Sequence, residues 1–353
     1  VCAEGAGSAT RRALGLDPDV VMFEDYWAIV DVKADLGHVQ RRFWLDSPLL
    51  DGGAQIMHGM ADGVIRTDWQ ISQFPDPDLE ITPERVNERL RAILGPDQEF
   101  EVVSISRWRF RRRIMDRFVH GRLIFAGDAA HEIPPYGARG GNGGIQDADN
   151  LGWKLAGVLA GTLDPAILET YDLERRQAAE ENARQACQSQ SFIWPATPGQ
   201  RLFRDAVLSL VREHPWSRAF LNTGRASVAM TYVDSPLSAP DEDDSRPTAT
   251  APGAAAPNLP VRTPAGEQGF LLDHVPATYT ALHLVAAGET PPQDLPAEAA
   301  GLPLAHLVVA RDGDPSPSAE APVVVDPTGR LFDVFAAEAG ATIVLRPDGY
   351  VCA

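Results

Sequence analysis

The fold is decided by residues 121–155, which read GRLIFAGDAAHEIPPYGARGGNGGIQDADNLGWKL. The apolar run at 123–126 has the length and the flanks of a buried strand. It ends at Gly127-Asp128, and Pro134-Pro135, the glycine-rich segment 137–144 and an amphipathic helix follow. A carboxylate accepts hydrogen bonds from sugar-type hydroxyls, glycines let backbone approach a flat ring, and a helix N-terminus stabilises negative charge. This order of elements predicts a site that holds a polar cofactor against backbone.

The same stretch resembles the second FAD-binding motif of the FAD-dependent aromatic-ring hydroxylases, the single-component flavoprotein monooxygenases of the para-hydroxybenzoate and phenol hydroxylase type. The resemblance implies that Gly127 and Asp128 bind the ribityl chain of FAD. It implies that Pro135 and the glycine run line the isoalloxazine ring, with the next helix pointing its N-terminus at the pyrimidine edge. The cofactor-binding residues implied within the run are Gly140, Gly141, Asn142, Gly143 and Gly144.

Residues 1–16, VCAEGAGSATRRALGL, resemble the DG motif of the same family, with Glu4-Gly5 in the Asp-Gly position. The resemblance implies that Glu4 and Gly5 support the FAD pyrophosphate and help NAD(P)H to engage. From the residues alone, a tight turn capped by Ser8 before a helix is the alternative. The family's first FAD motif, GxGxxG, is absent from the sequence, and Val1-Cys2-Ala3 reads as a strand already under way. We therefore expect the fold to have begun upstream.

The order of patterns predicts an α/β (α+β) fold with several domains. The alternation of apolar and polar residues over 26–75 predicts an antiparallel sheet, and the resemblance implies that this sheet covers the substrate pocket. By resemblance to the family, we expect a partial Rossmann-like FAD-binding domain at 1–25 and 114–190, a substrate-binding β-sheet domain at 26–113, and a thioredoxin-like domain without CxxC at 263–353. The residues themselves predict a helical segment at 191–235 and an extended and mobile linker at 236–262.

Local signals place individual elements. Thr82 and Pro83 predict the start of a helix over 82–94. Residues 165–187 also predict a helix, on which Tyr171, Glu174 and Arg175 match the family's YxxERR pattern. Charges at this spacing are typical of a solvated, salt-bridged face. Further strands are predicted at 280–285, 306–310 and 322–325, followed by a short helix at 329–339 and a hairpin over 341–351 that turns at Pro347-Asp348-Gly349.

Two single basic residues and one cluster of arginines each allow two interpretations. Arg139 lies either beside the flavin or in solvent. His131 is expected to pack and hydrogen-bond near the motif rather than to act as a base or metal ligand. The arginines at 107, 109 and 111–113 form either a solvated strand face or a patch that attracts the phosphates of NAD(P)H.

The resemblance implies an enzyme, an FAD- and NAD(P)H-dependent monooxygenase. It would hydroxylate a phenolic or other small aromatic substrate with O₂, through a flavin C4a-hydroperoxide. The alternatives are a halogenase or reductase on the same scaffold, and a non-catalytic or truncated flavoprotein remnant. The sequence assigns no catalytic residue and leaves the substrate, the ring position, and NADH or NADPH open.

The charge and composition of the sequence restrict the functional classes to which the protein can belong. The formal net charge of −18 argues against nucleic-acid and anionic-membrane binding, and no apolar run has transmembrane length. The three cysteines form no CxxC pair and the eight histidines form no cluster, so we expect reduced thiols and no metal site. These features predict a cytoplasmic protein, and the resemblance adds the expectation of a homodimer.

Overall fold

The computed structural model describes residues 1–353 except 38, 51, 222–225, 240–249, 287–288, 312–320, 337 and 339. The chain divides into two compact units. The first unit comprises Val1–Asp116, Phe125–Gly143 and Ala179–Ser227, and the second comprises Arg117–Ile124, Gly144–Ala178 and Val228–Ala353. Both units mix helices with strands, which confirms the predicted α/β (α+β) class.

The helices of the described residues are α1 Ala9–Ala13, α2 Pro83–Leu94, α3 Arg139–Ala160, α4 Ile167–Ile193, α5 Pro198–Leu210 and α6 Arg330–Phe335. The strands are β1 Val21–Lys33, β2 Arg42–Trp44, β3 Gln55–Gly59, β4 Val64–Gln70, β5 Glu101–Ile114, β6 Val119–His120, β7 Leu123–Ile124, β8 His131–Glu132, β9 Pro260–Arg262, β10 Gln268–Phe270, β11 Tyr279–Val285, β12 Glu298–Ala299, β13 Leu302–Arg311, β14 Val323–Asp326 and β15 Thr342–Leu345. Within the described parts of the chain, no helix combines the length and the apolar character that crossing a membrane requires.

The first unit is built on a six-stranded antiparallel sheet with the order β2-β3-β4-β1-β5-β8, which confirms the predicted sheet. Successive side chains of a strand point to opposite faces. One face buries Val30 and Trp69 against Val86 and Leu90 of α2. The other face, which carries Trp27, packs against the segment before α3 and against α4.

Helix α2 starts where the sequence predicts. Thr82 is its N-cap residue and Pro83 its first residue. The Thr82 hydroxyl donates to the Leu79 carbonyl at 2.9 Å rather than capping the helix, because a 3-10 turn, Leu79–Ile81, directly precedes it. Proline at the first position stabilises this helix start, since its missing N–H has no partner there in any case.

The second unit contains a sheet with the order β10-β9-β14-β13-β11-β15, to which β12 adds by pairing with β13. Strand β13 runs parallel to β11 and β14, and β15 pairs antiparallel with β11. The hairpin predicted at 341–351 is confirmed, since the Arg346 N–H donates to the Tyr350 carbonyl at 2.8 Å across the predicted turn. The thioredoxin-like character of this unit and the predicted domain boundaries stay predictions.

The predicted linker is only partly described, because residues 240–249 lie outside the described residues. Residues 250–262 differ from the extended, mobile segment that their composition predicts. The Gly253 N–H donates to the Val351 carbonyl at 2.8 Å, its carbonyl accepts from Tyr232 at 2.9 Å, and Ala254 is buried. Small side chains let this backbone lie directly against its neighbours, since a Cβ at Gly253 would be 2.5 Å from the Tyr232 oxygen.

The solvated face predicted for α4 is wrong for Glu174 and Arg175. Both side chains are buried. Glu174 pairs with Lys154 at 2.8 Å and with Arg346 at 2.6 Å, and Arg175 pairs with Asp147 at 2.7 Å. Charges at helical spacing were expected in water because their partners could not be read from the local sequence.

Candidate functional site

Asp128 lies on an exposed turn in the first unit. The backbone of Phe125 forms a parallel bridge with Cys2, and a 3-10 turn, Gly127–Ala129, follows. Gly127 adopts a φ of 59°, a left-handed conformation that glycine reaches without a Cβ clash. The turn leaves the Asp128 side chain exposed, so its carboxylate is open to hydroxyl donors.

Glu4 closes the turn before α1 with its carboxylate. The carboxylate accepts hydrogen bonds from the Ser8 hydroxyl at 2.5 Å, the Thr10 hydroxyl at 2.9 Å and the Thr10 N–H at 3.1 Å. These hydrogen bonds, that from Ser8 most strongly, lower the pKa of Glu4. Gly5 has a φ of 75° and accepts the Ser8 N–H at 3.0 Å. The Glu4 side chain therefore helps to cap α1, and a role toward a cofactor stays a prediction.

One buried guanidinium, that of Arg11, ties this turn to the Asp128 turn. Its Nη1 donates to the Ala129 carbonyl at 2.6 Å and its Nη2 to the Ala6 carbonyl at 2.7 Å. Its Nε donates to Asp17 at 2.6 Å. Arginine offers five donors in a fixed plane, which suits three acceptors at fixed positions. Sequence analysis missed this role, because Ala129 lies 118 residues away along the chain.

Helix α3 begins at Arg139, inside the glycine-rich segment and earlier than the sequence predicts. Gly137 has a φ of 82° and Ala138 a φ of 53°, so two left-handed residues turn the chain into the helix. The Ala138 N–H donates to the Pro135 carbonyl at 3.1 Å, which closes that turn. The tight turn sets the direction of the helix, and Pro135 is exposed beside its N-terminus.

The first helical turn contains Gly140 and Gly141, whose N–H groups have no acceptor within the helix. A Cβ on Gly141 would meet no atom within 4 Å, and one on Gly140 would meet only the Ile133 oxygen at 3.8 Å. Glycine within a helix costs roughly 0.5–1 kcal/mol relative to alanine. Packing within the described chain does not require either glycine, whereas a ring approaching the backbone would.

Gly143 and Gly144, which the resemblance also assigns to the cofactor, lie in the second helical turn, because α3 starts earlier than the sequence predicts. Gly143 instead gives room to His131, whose Cε1 would lie 3.2 Å from an added Cβ. His131 is buried, in keeping with the packing role expected for it.

Arg139 and Asn142 each donate a hydrogen bond to another residue of the chain. The Arg139 Nη1 donates to Asn182 Oδ1 at 2.9 Å, and its side chain is buried rather than in solvent. Burial lowers the pKa of Arg139. The exposed Asn142 donates through Nδ2 to the Ala138 carbonyl at 2.7 Å. Both contacts strengthen the start of α3.

Carboxylates balance much of the basic cluster on β5. Arg111 contacts Glu132 at 2.6 Å, and Arg113 contacts the other oxygen of Glu132 at 3.2 Å. Arg107 pairs with Asp78. These ion pairs give the arginines structural partners, and an attraction for NAD(P)H phosphates stays a prediction.

Comparison with known proteins identifies the family to which the chain belongs. A family model described as an FAD binding domain matches residues 1–186. The chain belongs to this FAD-binding family. The match includes α1, the six-stranded sheet and the start of α3, and thus every segment predicted to hold the cofactor.

Two curated relatives of this FAD-binding chain are named as a hydroxylase and a monooxygenase. The 3-(3-hydroxy-phenyl)propionate/3-hydroxycinnamic acid hydroxylase of Mycobacterium sp. (strain JLS) is 29% identical over 360 residues, which are 98% of this chain and 61% of the relative. The 4-methyl-5-nitrocatechol 5-monooxygenase of Burkholderia sp is 31% identical over 290 residues, which are 78% of this chain and 48% of the relative. The chain spans about three fifths of the length of the first relative.

Solved structures share the fold. The flavin-dependent monooxygenase PieE, in complex with FAD and substrate, matches 99% of this chain and 66% of its own with a TM-score of 0.74 at 21% identity. The anhydrotetracycline hydroxylase OxyS of Streptomyces rimosus matches 99% of this chain and 64% of its own with a TM-score of 0.65 at 26% identity.

The residues of this FAD-binding chain fit the polar groups of the cofactor. The exposed Asp128 carboxylate suits the hydroxyls of a ribityl chain, which are donors. The N–H groups of Gly140 and Gly141 suit the pyrimidine edge of a flavin that carries negative charge. Among the described residues, no atom lies within 4 Å of a Cβ added at Gly141, and Asp128 is exposed, so a ligand can approach both positions.

Proposed function

We propose that this protein is an FAD-dependent monooxygenase that hydroxylates a phenolic substrate with NAD(P)H and O₂. The observation that carries the proposal is the open glycine start of α3, which lies in the same unit as the exposed Asp128 turn. The names of both curated relatives, a hydroxylase and a monooxygenase, favour oxygen insertion into an aromatic ring over halogenation or reduction.

In this proposal, Asp128 binds the ribityl hydroxyls and the first turn of α3 binds the pyrimidine edge of the flavin. Pro135 and the glycines from Gly140 onward border the ring, and the Glu4-Gly5 turn supports the pyrophosphate. Bound FAD supplies the redox chemistry. The protein fixes the position of the ring and stabilises its charge with dipoles that are already oriented.

Further parts of the proposal rest on the resemblance or on the cysteines. NAD(P)H is the proposed reductant, because hydroxylation with O₂ consumes two electrons. The three free cysteines, none of them in a disulfide, favour a reducing cytoplasmic compartment. A homodimer is proposed as well, and light scattering of the purified chain measures it directly.

The proposal is tested by titrating the purified chain with FAD and recording the flavin absorbance, then adding NADPH without oxygen. We expect a perturbed flavin band that bleaches, and hydroxylated product once oxygen and 3-(3-hydroxyphenyl)propionate are added. Asp128→Asn removes a charged acceptor, which is worth about 1.5–3 kcal/mol, so FAD affinity is expected to fall about 10-fold to 100-fold.

Asp97→Asn is the matched control, since Asp97 is an exposed aspartate outside the proposed site. Gly141→Ala is a second variant, expected to weaken FAD binding without loss of folding because its Cβ meets no protein atom. A chain that binds no FAD would overturn the proposal. Binding without bleaching and without product would support the non-catalytic flavoprotein instead.

A further inference from the structure

A buried carboxylate lies on the aromatic face of the six-stranded sheet, where no site residue was predicted. Asp25 of β1 is 2% exposed. Its Oδ2 accepts a hydrogen bond from the indole N–H of Trp27 at 3.0 Å, and its Oδ1 accepts one from the side-chain amide Nε2 of Gln190 at 2.8 Å. All three residues belong to the first unit. Burying a carboxylate is costly, so the position calls for a reason other than packing.

Two further polar atoms in this cluster have no hydrogen-bond partner among the described residues. One is the hydroxyl of Tyr136, a side chain that is 7% exposed, and the other is Oε1 of Gln190, which is 4% exposed. Leaving a buried polar group unpaired is unfavourable, and native proteins rarely do so without a ligand or water. The cluster therefore offers one donor and two acceptors to a polar group from outside the chain.

Apolar and aromatic side chains surround these atoms. Trp27 and Tyr136 belong to one buried cluster, and the ring of Phe110 meets Tyr136 edge-on at 5.9 Å and Trp27 at 6.1 Å. Tyr136 directly follows Pro134-Pro135, the loop proposed to border the flavin. A ligand that fits such surroundings has an aromatic ring and one hydroxyl.

Electrostatics agree with this geometry. Burial raises the pKa of Asp25, against hydrogen bonds from Trp27 and Gln190 and the charge of Arg109. Burial also raises the pKa of Tyr136 well above its usual value, and the nearby Asp25 adds to this effect. Tyr136 therefore stays a neutral hydrogen-bond donor, while Asp25 is a stronger proton acceptor than a carboxylate in water.

We propose that Asp25 accepts the proton of the ring hydroxyl of the substrate, and that Tyr136 and Gln190 complete the binding of that hydroxyl. This inference rests on the proposed function, which it deepens by assigning a base and a substrate class. The hydroxyl O–H bond breaks, its proton goes to an Asp25 oxygen, and the electron pair stays on the ring oxygen. No electron leaves the ring in this step, and the resulting phenolate has higher electron density on its ring carbons, where electrophilic oxygen attacks.

The negative charge of Asp25 also determines which end of the substrate can enter this cluster. A carboxylate brought next to the buried Asp25 would be repelled, because like charges in a low-dielectric site interact strongly. The end of the substrate that enters this cluster is therefore a neutral phenolic hydroxyl, and any substrate carboxylate lies at another position.

The first test measures binding by calorimetry, with and without FAD, using a phenol and its O-methyl ether: 3-(3-hydroxyphenyl)propionate and 3-(3-methoxyphenyl)propionate. The intact protein should bind the phenol about 10-fold to 100-fold more tightly, as expected for a hydrogen bond to a charged group. Asp25→Asn should abolish most of this preference, and Asp97→Asn should retain it. Equal binding of phenol and ether, or binding of neither, would overturn the inference.

Tyr136→Phe is a second variant, which keeps the test decisive if Asp25→Asn fails to fold. It removes a hydroxyl that has no partner among the described residues, so the protein should stay folded while its affinity for the phenol falls about 10-fold. An unchanged affinity for the phenol in a folded Tyr136→Phe protein would contradict the role of the hydroxyl.

The second test follows hydroxylation against pH. Removing a general base lowers kcat by about 100-fold to 10,000-fold. For Asp25→Asn the remaining rate should rise as the pH approaches the pKa of the phenol, and a more acidic ring-fluorinated phenol should recover part of the activity. A uniform loss without recovery would point to a structural role. A protein that prefers phenol over ether but never hydroxylates it would refute the proposed function and leave the hydroxyl site standing.

Discussion

Among single residues, Asp68 carries a carboxyl group whose ionisation opposes folding. It lies on β4, and burial raises its pKa from 3.8 to about 7, with Arg66 opposing and Asp31 adding to the shift. Its Oδ1 has no hydrogen-bond partner among the described residues. Because the folded state holds the proton more tightly than the unfolded state, the free energy of unfolding falls as the pH rises from 3.8 to 7.

Asp68→Asn removes this ionisation and nearly keeps the shape of the side chain. We expect the substitution to raise the free energy of unfolding by on the order of 2 kcal/mol more at pH 8 than at pH 5. Urea denaturation at both pH values measures the difference. Asp97→Asn, at an exposed position, should show no such dependence. An Asp68→Asn effect equal at both pH values would contradict the buried ionisation.

At the scale of elements, a buried ion network joins α3 and α4 to the hairpin after β15 within the second unit. Glu174 accepts hydrogen bonds from Arg346 at 2.6 and 3.0 Å, from Lys154 at 2.8 Å and from Ser235 at 2.5 Å. Burial opposes its ionisation, but the hydrogen bonds from Arg346 and the charge of Lys154 prevail and lower its pKa to about 2. Burial lowers the pKa of Lys154 to about 8.

Glu174→Gln leaves these two cations without their shared counter-charge. Breaking a buried ion pair costs about 3–5 kcal/mol, and we expect the free energy of unfolding to fall by this amount at pH 7. The stabilisation by Glu174 is present above pH 4.5 and is lost as the pH falls toward 2, so the two proteins should converge in acid. Glu169→Gln on the same helix is the control, since its pair with Arg117 is exposed and worth about 0–1 kcal/mol. Thermal unfolding followed by circular dichroism compares the three proteins.

Elements defined by short-range chemistry could be predicted from the sequence. Pro83 fixes the start of α2, and the turn at 347–349 fixes the last hairpin, because both signals act within a few residues. The start of α3 was predicted too late, since glycine disfavours helices and the segment resembles a loop. There the turn at Gly137 and Ala138 overrides the local preference.

Contacts between distant parts of the chain account for what the sequence did not predict. The motif at Asp128 was found from its local pattern. The hydrogen bond from Arg11 to this turn was not predicted, because the Ala129 carbonyl that accepts it lies 118 residues away along the chain. The burial of Glu174 depends on Arg346, 172 residues along the chain. Asp25 gave no signal either, because an aspartate on a strand next to aromatic residues becomes a candidate base only when its burial is known.

At the scale of the whole molecule, the proposed cofactor contacts all lie in one of the two units, apart from Gly144, the first residue of a segment of the other. A ligand that binds only the folded state stabilises it by about 2.7 kcal/mol at a concentration 100 times its Kd. Backbone amides close to the ligand should gain most protection, because local opening of their segment must then release the ligand.

Hydrogen exchange with and without FAD tests this distribution. We expect slower exchange in the turn Gly127–Ala129 and in the first turn of α3, and an unchanged rate in β11 and β13 of the second unit. Asp128→Asn should reduce the protection at an FAD concentration just sufficient to saturate the unchanged protein, while Asp97→Asn should keep it. Protection centred on β11 and β13 would place the flavin in the other unit and contradict the assignment of Asp128.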